Sequence, residues 1–153
     1  MDSNLAQDRL FNYRLNVGYD KLDVEGDDWN DTTLELGGLV IDNTFGFGVL
    51  RTETFRLWLG PQVRLGFYGG ETDNSGTKLE AALFAFGLAP VVGANWNLGD
   101  SFTLSLVAGY RFMGFAGGVD LSDDSDDGTF TGSGNMGFLN LSAMFRTGSD
   151  RFR

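Results

Sequence analysis

Two residue types with distinctive chemistry are absent from this chain of 153 residues, which contains no histidine and no cysteine. Without histidine there is no Ser-His triad, no usual general base and no imidazole to ligate zinc or haem. Without cysteine there is neither a disulfide nor a thiolate metal site. We therefore expect a non-enzymatic protein without a cofactor.

The charge and hydropathy of the chain argue against a nucleic-acid-binding protein and against a helical membrane protein. The formal net charge of −10 would repel the phosphates of nucleic acid, so nucleic acid is not an expected partner. The longest uncharged stretch lies around AALFAFGLAPVVGANW, contains glycine and proline, and falls short of the roughly 20 consecutive apolar residues that a membrane-spanning helix needs. This length suits one domain. We assign a single domain to residues 1–153, with 1–9 as a turn or N-terminal remnant and 147–153 as a C-terminal tail.

Glycine (23 residues) and phenylalanine (14 residues) are abundant, and apolar side chains alternate with polar ones. In FRLWLGPQVRLGFYGG, which spans residues 55–70, one parity is apolar and the other contains Arg56, Gln62 and Arg64. Such alternation is typical of a β-strand whose two faces meet different surroundings. The fold class is therefore expected to be all-β.

Two segments of the chain repeat each other, one beginning at Thr32 and the other at Thr77. Each repeat predicts a long hairpin, as in an antiparallel up-and-down meander or barrel. Together with a leading and a closing strand, the pattern predicts six long strands, at roughly 10–25, 31–50, 55–70, 77–97, 101–117 and 128–146.

Two details of these strands are open. An alternative with eight shorter strands breaks the second strand at "DN" (42–43) and the fourth at "AP" (89–90); it ranks lower because some pieces become brief. A register shift is expected at Gly37 and Gly38, because glycine pairs often mark β-bulges. Pro61 also needs a bulge or a sheet edge, since proline cannot donate to the ladder.

Long, acidic, glycine-rich connections alternate with short ones. The long connections are GDDWND, GGETDNSG and GGVDLSDDSDDG, and the short turns are LRTET and NLGD. In an up-and-down sheet this order places the long loops at one end and the short turns at the other, as in bacterial outer-membrane barrels. The last loop does not keep EF-hand spacing, so no metal site is predicted. Its carboxylates, the weak candidates for calcium, are Asp123, Asp124, Asp126 and Asp127.

The polar parity of the strands is rich in arginine, whereas lysine, which exposed sheet faces favour, occurs only at 21 and 78. The planar guanidinium group suits confined ion pairs with several partners, which favours an interior network over a solvated face. Aromatic residues cluster at both strand ends, as in interfacial girdles. They are Phe11, Phe55, Phe102 and Phe145 by the short turns, and Tyr19, Phe67, Phe112 and Phe115 toward the loops.

With these strands, sorted loops and interior arginines, nearly the whole chain resembles the small bacterial outer-membrane barrels of the OmpA transmembrane-domain, OmpX and OmpW kind. The resemblance implies a transmembrane barrel in contact with outer-membrane lipid and lipopolysaccharide. Eight strands are expected for the family and six are predicted here, which leaves open whether an N-terminal hairpin is missing; a second copy is a candidate partner if the barrel is incomplete. It also implies a lumen ion-pair network, here Arg14, Glu35, Arg56, Arg64, Glu80, Arg111 and Arg146.

The favoured function is therefore a non-enzymatic outer-membrane β-barrel, either structural or a narrow pore. The alternative is a soluble lipocalin-like barrel that binds a small apolar ligand. The two hypotheses differ in orientation, because the soluble barrel would turn the apolar parity inward and the arginines outward.

Overall fold

The computed structural model describes residues 10–25, 33–74, 77–99, 102–121 and 128–145. These residues form six β-strands, and no helix among them is long and apolar enough to cross a membrane. The predicted six strands are confirmed, because the second and fourth strands run unbroken through 42–43 and 89–90. The strands are β1 Phe11–Glu25, β2 Thr33–Arg51, β3 Phe55–Asn74, β4 Thr77–Asn97, β5 Phe102–Leu121 and β6 Gly128–Phe145.

The six strands form one antiparallel up-and-down sheet in the order β1-β2-β3-β4-β5-β6. Each strand pairs with the next along the chain, and within the described ranges no ladder joins β6 to β1. The sheet is therefore open, with β1 and β6 as its edges. It is nevertheless strongly curled, because Arg14 on β1 reaches Ser105 on β5 and Met144 on β6 across the concave face.

The two ends of the sheet differ in their connections. Residues 52–54 and 98–101 join strands at what we call the turn end, and 26–32, 75–76 and 122–127 at the loop end. The prediction of a long loop over 69–76 is wrong, because β3 and β4 stay paired as far as Asn74 and Thr77. The ladder extends there because consecutive antiparallel strands need only two residues to turn.

The predicted register shift at Gly37 and Gly38 is also wrong. Both glycines lie in an unbroken ladder with β1 and β3, and the irregularity of β2 lies between Gly48 and Leu50. The sequence predicts a shift there because Leu39, Ile41, Phe45 and Phe47 form the apolar parity only after the glycine pair. The structure removes the need for a shift, since it buries Leu36 on the same face as the arginines.

Pro61 lies on a central strand, directly opposite Pro90, and not at a bulge or an edge as expected. The β2–β3 ladder passes from the pair Thr44–Gln62 to Phe47–Leu59 without pairing Pro61. The β4–β5 ladder likewise omits Pro90. Each proline, which has no N–H to donate, therefore lies beside a gap in the ladder with its outer neighbour.

The buried arginines lie on the concave face together with buried apolar side chains, and most of the exposed large apolar side chains lie on the convex face. The concave face buries Arg14 and Arg111 to 4% exposure, whereas on the convex face Leu139 is 72% exposed and Phe145 is 74% exposed. This is the reverse of the usual arrangement in a water-soluble protein. The convex parity is also the apolar parity of the sequence.

Candidate functional site

A charged layer crosses the middle of the concave face, and Asp42 on β2 is its centre. Arg64 on β3 holds this carboxylate with two hydrogen bonds, from Nε to Oδ1 at 2.9 Å and from Nη2 to Oδ2 at 3.3 Å. Arg111 on β5 approaches the same Oδ1 to 3.6 Å. Arg64 also donates to Asp20 on β1 at 2.7 Å. One carboxylate therefore serves two guanidinium groups from different strands.

Neutral groups complete the surroundings of Arg111. Its Nη2 donates to Gln62 Oε1 at 2.7 Å, and Gln62 Nε2 in turn donates to Thr44 Oγ1 at 3.0 Å. The guanidinium carbon lies 4.4 Å from the centre of the Phe138 ring, in a cation–π contact. Arg111 is therefore held by Gln62, by the Phe138 ring and by the carboxylate that it shares with Arg64.

A second polar layer lies toward the turn end and surrounds Trp58, which is fully buried. The Trp58 indole N–H donates to Asn95 Oδ1 at 3.4 Å, and Ser105 Oγ donates to the same oxygen at 2.8 Å. Arg14 donates to Ser105 at 3.1 Å and to Met144 Sδ at 3.9 Å, with its guanidinium carbon 5.5 Å from the Trp58 ring. This layer therefore joins β1, β3, β4, β5 and β6 through side chains.

Small residues make room for Trp58 inside the curled sheet. A Cβ atom on Gly93, on the neighbouring strand β4, would overlap the indole ring, and one on Gly46 would meet both the ring and the Asn12 amide. The alternation pattern alone does not link these glycines to an aromatic residue. Their positions follow from the cross-strand register, which pairs Trp58 with Gly93.

The structure places four of the predicted network residues together on the concave face. Arg14, Arg56 and Arg111 are buried and Arg64 is nearly so, and Arg56 donates to the Leu10 carbonyl at 3.4 Å. Arg146 lies outside the described residues, and so do the candidate calcium ligands Asp123, Asp124, Asp126 and Asp127.

Glu35 and Glu80 do not join the arginines. Both are exposed and share the parity of the convex face, near its loop end. Glu80 stands directly opposite Glu71 in the β3–β4 ladder, and Glu35 opposite Asp23 in the β1–β2 ladder. The expectation failed because β4 and the start of β2 carry apolar residues on both parities, so their sequence does not show which parity is inside.

A buried apolar cluster at the loop end of the concave face was missed by the sequence analysis. Partly buried side chains of β1, β5 and β6 pack against it, so every strand of the sheet contributes. The sequence of β4 contains a signal for this cluster. Because β4 is apolar on both parities, its inner face is apolar whichever parity points inward. We call this group the loop-end cluster: Leu36, Val40, Tyr68, Ala81, Leu83, Ala85 and Met113.

Aromatic pairs line the convex face at the turn end. Phe55 stacks obliquely on Trp96 with ring centres 5.4 Å apart, and Phe102 on Phe145 at 5.2 Å. Tyr19 and Phe67 are exposed on the loop-end half of the convex face, whereas Phe112, expected in the same row, is exposed opposite Leu88 in the middle of its strand. Phe115 does not belong to that row, since it lies on the concave side and packs against the loop-end cluster.

Two polar side chains on the convex face are paired with tyrosine hydroxyl groups. Tyr13 donates to Asn43 Oδ1 at 2.5 Å, and Tyr110 donates to Asn135 Oδ1 at 2.6 Å. Each pair gives an amide oxygen a hydrogen-bond donor from within the sheet. Such pairing is needed when a polar group faces an apolar medium.

The site offers ion pairs and hydrogen bonds, and the part of the chain that the structure describes brings no three metal-binding side chains together. The chain matches no protein-family model, and no curated protein or solved structure is significantly similar to it.

Proposed function

We propose that this chain forms the wall of a non-enzymatic β-barrel that spans a bacterial outer membrane. The convex face contacts lipid and lipopolysaccharide, and the concave face surrounds a lumen filled by side chains. The observation that carries the proposal is the inverted burial, with guanidinium groups inside and large apolar side chains outside. Water would penalise this arrangement, whereas lipid favours it.

The height of the uncharged convex surface supports a membrane location. On β4 this surface extends from Ala82 to Trp96, between the exposed Glu80 and the end of the strand. At a rise of about 3.3 Å per residue and a tilt of about 45°, these residues cover about 35 Å. The hydrocarbon core of a bilayer is about 30 Å thick. The carboxylates of Glu35, Glu71 and Glu80 then lie at the headgroup level.

The orientation of the faces disfavours a soluble lipocalin-like barrel. Such a protein would line its interior with the apolar parity and solvate the arginines. Here Leu59 and Leu141 on the apolar parity are 52% and 68% exposed, whereas Arg56 is 6% exposed.

Closure of the sheet belongs to the same proposal, because unpaired strand edges are not tolerated in lipid. β1 and β6 run antiparallel, so an antiparallel closure needs an even number of added strands. The contact between Arg14 and Met144 limits the opening to the combined reach of two side chains, about three strand spacings or roughly 14 Å. Two further strands fit this opening, which gives eight strands in all.

Gel migration tests the proposal. After refolding in detergent micelles, the unboiled protein should migrate as a compact species and the boiled protein at the mass of the unfolded chain. The refolded protein should also enter lipid vesicles and resist extraction with carbonate. A monodisperse, folded monomer in detergent-free buffer would contradict the membrane location.

A further inference from the structure

The layers of side chains on the concave face differ in the number of strands that contribute apolar residues to them. At the level of Trp58 the apolar side chains come from β3 to β6, while β1 and β2 supply polar groups such as Asn12 and Thr44. The loop-end cluster and the side chains packed on it come from all six strands. Among the described residues, only this cluster forms an apolar layer with side chains from all six strands of the open sheet, and closure of the sheet as proposed above would make that layer a ring.

Among the described residues, the concave side chains below that ring carry an excess of positive formal charge. Four buried or nearly buried arginines face two aspartates among the described residues of the concave face, and Asp20 is itself 41% exposed. Within a narrow path, fixed charges of one sign concentrate mobile ions of the other sign. The charged groups are Arg14, Arg56, Arg64, Arg111, Asp20 and Asp42.

We propose that the lumen is a path for small inorganic anions such as chloride, and that the loop-end cluster holds it shut in this conformation. An apolar ring excludes water and therefore blocks ions, although the layers below it are polar. The proposal rests on the membrane-spanning barrel proposed above and assigns a permeant class and a gate to its lumen.

Conductance across planar lipid bilayers tests the gate. The wild-type protein should give no resolved conductance steps. The double variant Leu83→Ser with Met113→Ser removes two walls of the cluster and should give steps clearly above that baseline. Val107→Ser, a change at a buried apolar residue outside the ring, should stay closed. If the double variant loses the heat-sensitive band on gels, Leu36→Ser replaces it.

Ion selectivity tests the anion path. In a potassium chloride gradient, the reversal potential of the opened variant should shift toward the chloride equilibrium potential. Adding Arg111→Gln should lower the chloride-to-potassium permeability ratio severalfold. An opened variant that prefers potassium would overturn the proposal, and so would wild-type steps as large as those of the variant.

Two negative results have different meanings. Folded cluster variants that all remain closed would overturn the gated path while leaving the membrane barrel intact. A wild-type protein without heat-sensitive migration and without vesicle insertion would instead overturn the proposed barrel, and with it the path.

Discussion

Asp42 is the carboxylate that holds the charged layer together. It accepts two hydrogen bonds from Arg64 and lies 3.6 Å from Arg111, with only 14% of its side chain exposed. Removing one member of such a group leaves a buried charge without its counter-ion, which costs more than the net value of the pair. Glu80 offers a contrast, because the same parity argument placed it in this network and the structure places it on the exposed convex face.

Asp42→Asn should therefore destabilise the refolded protein by about 2 to 3 kcal/mol. Glu80→Gln should change stability by less than about 0.5 kcal/mol, since it only removes a carboxylate opposite Glu71 at the surface. The free energy of unfolding of each variant is measured by urea titration in detergent micelles. The folded fraction at each urea concentration is read from the heat-sensitive band on gels. Equal losses in the two variants would show that the charged layer does not contribute to stability.

At the scale of the strands, the size of the inner side chains is matched across the ladder. Trp58 on β3 is paired in register with Gly93 on β4, and Tyr68 on the same strand is paired with Gly38 on β2. Because the sheet is curled, an indole ring on the concave face fits only where its neighbour has no side chain.

Gly93→Ala should cost about 1 to 3 kcal/mol, because the added methyl group overlaps the Trp58 ring. Gly114→Ala is the matched control, since nothing lies within 4 Å of a Cβ atom on this exposed glycine of β5. It should be neutral within about 0.5 kcal/mol. Similar effects of the two substitutions would refute the packing argument. Fluorescence of Trp58 in a variant without the other tryptophans reports whether the ring has moved.

Alternation in the sequence was enough to predict six strands, most of their bounds to within a few residues, and the parity that carries the arginines. Alternation did not identify the inner face of β4, where both parities are apolar, and it did not place Leu36 of β2 on the concave face. Periodicity distinguishes two faces but does not show which apolar residues meet one another across a curled sheet. That depends on register and curvature, which bring Leu36 and Met113 into one cluster.

For the whole molecule, the inverted faces make a prediction that depends on the surrounding medium. Leu88 lies on the convex face of β4, midway between Glu80 and Trp96, and is 49% exposed. In water, arginine at such a position would be harmless. In a bilayer it would place a charge near the midplane, whereas arginine at Ala82 on the same strand and face would lie near the headgroups.

Leu88→Arg should therefore destabilise the protein in lipid vesicles by about 2 to 4 kcal/mol, and Ala82→Arg by at most about 1 kcal/mol. The two variants share the strand, the face and the added charge, so the difference between them reports depth alone. Unfolding in urea, with both proteins refolded into vesicles of one lipid, measures it. If Leu88→Arg is as stable as Ala82→Arg, the convex face of β4 does not lie in the hydrocarbon core, and the exposed apolar band needs another partner than lipid.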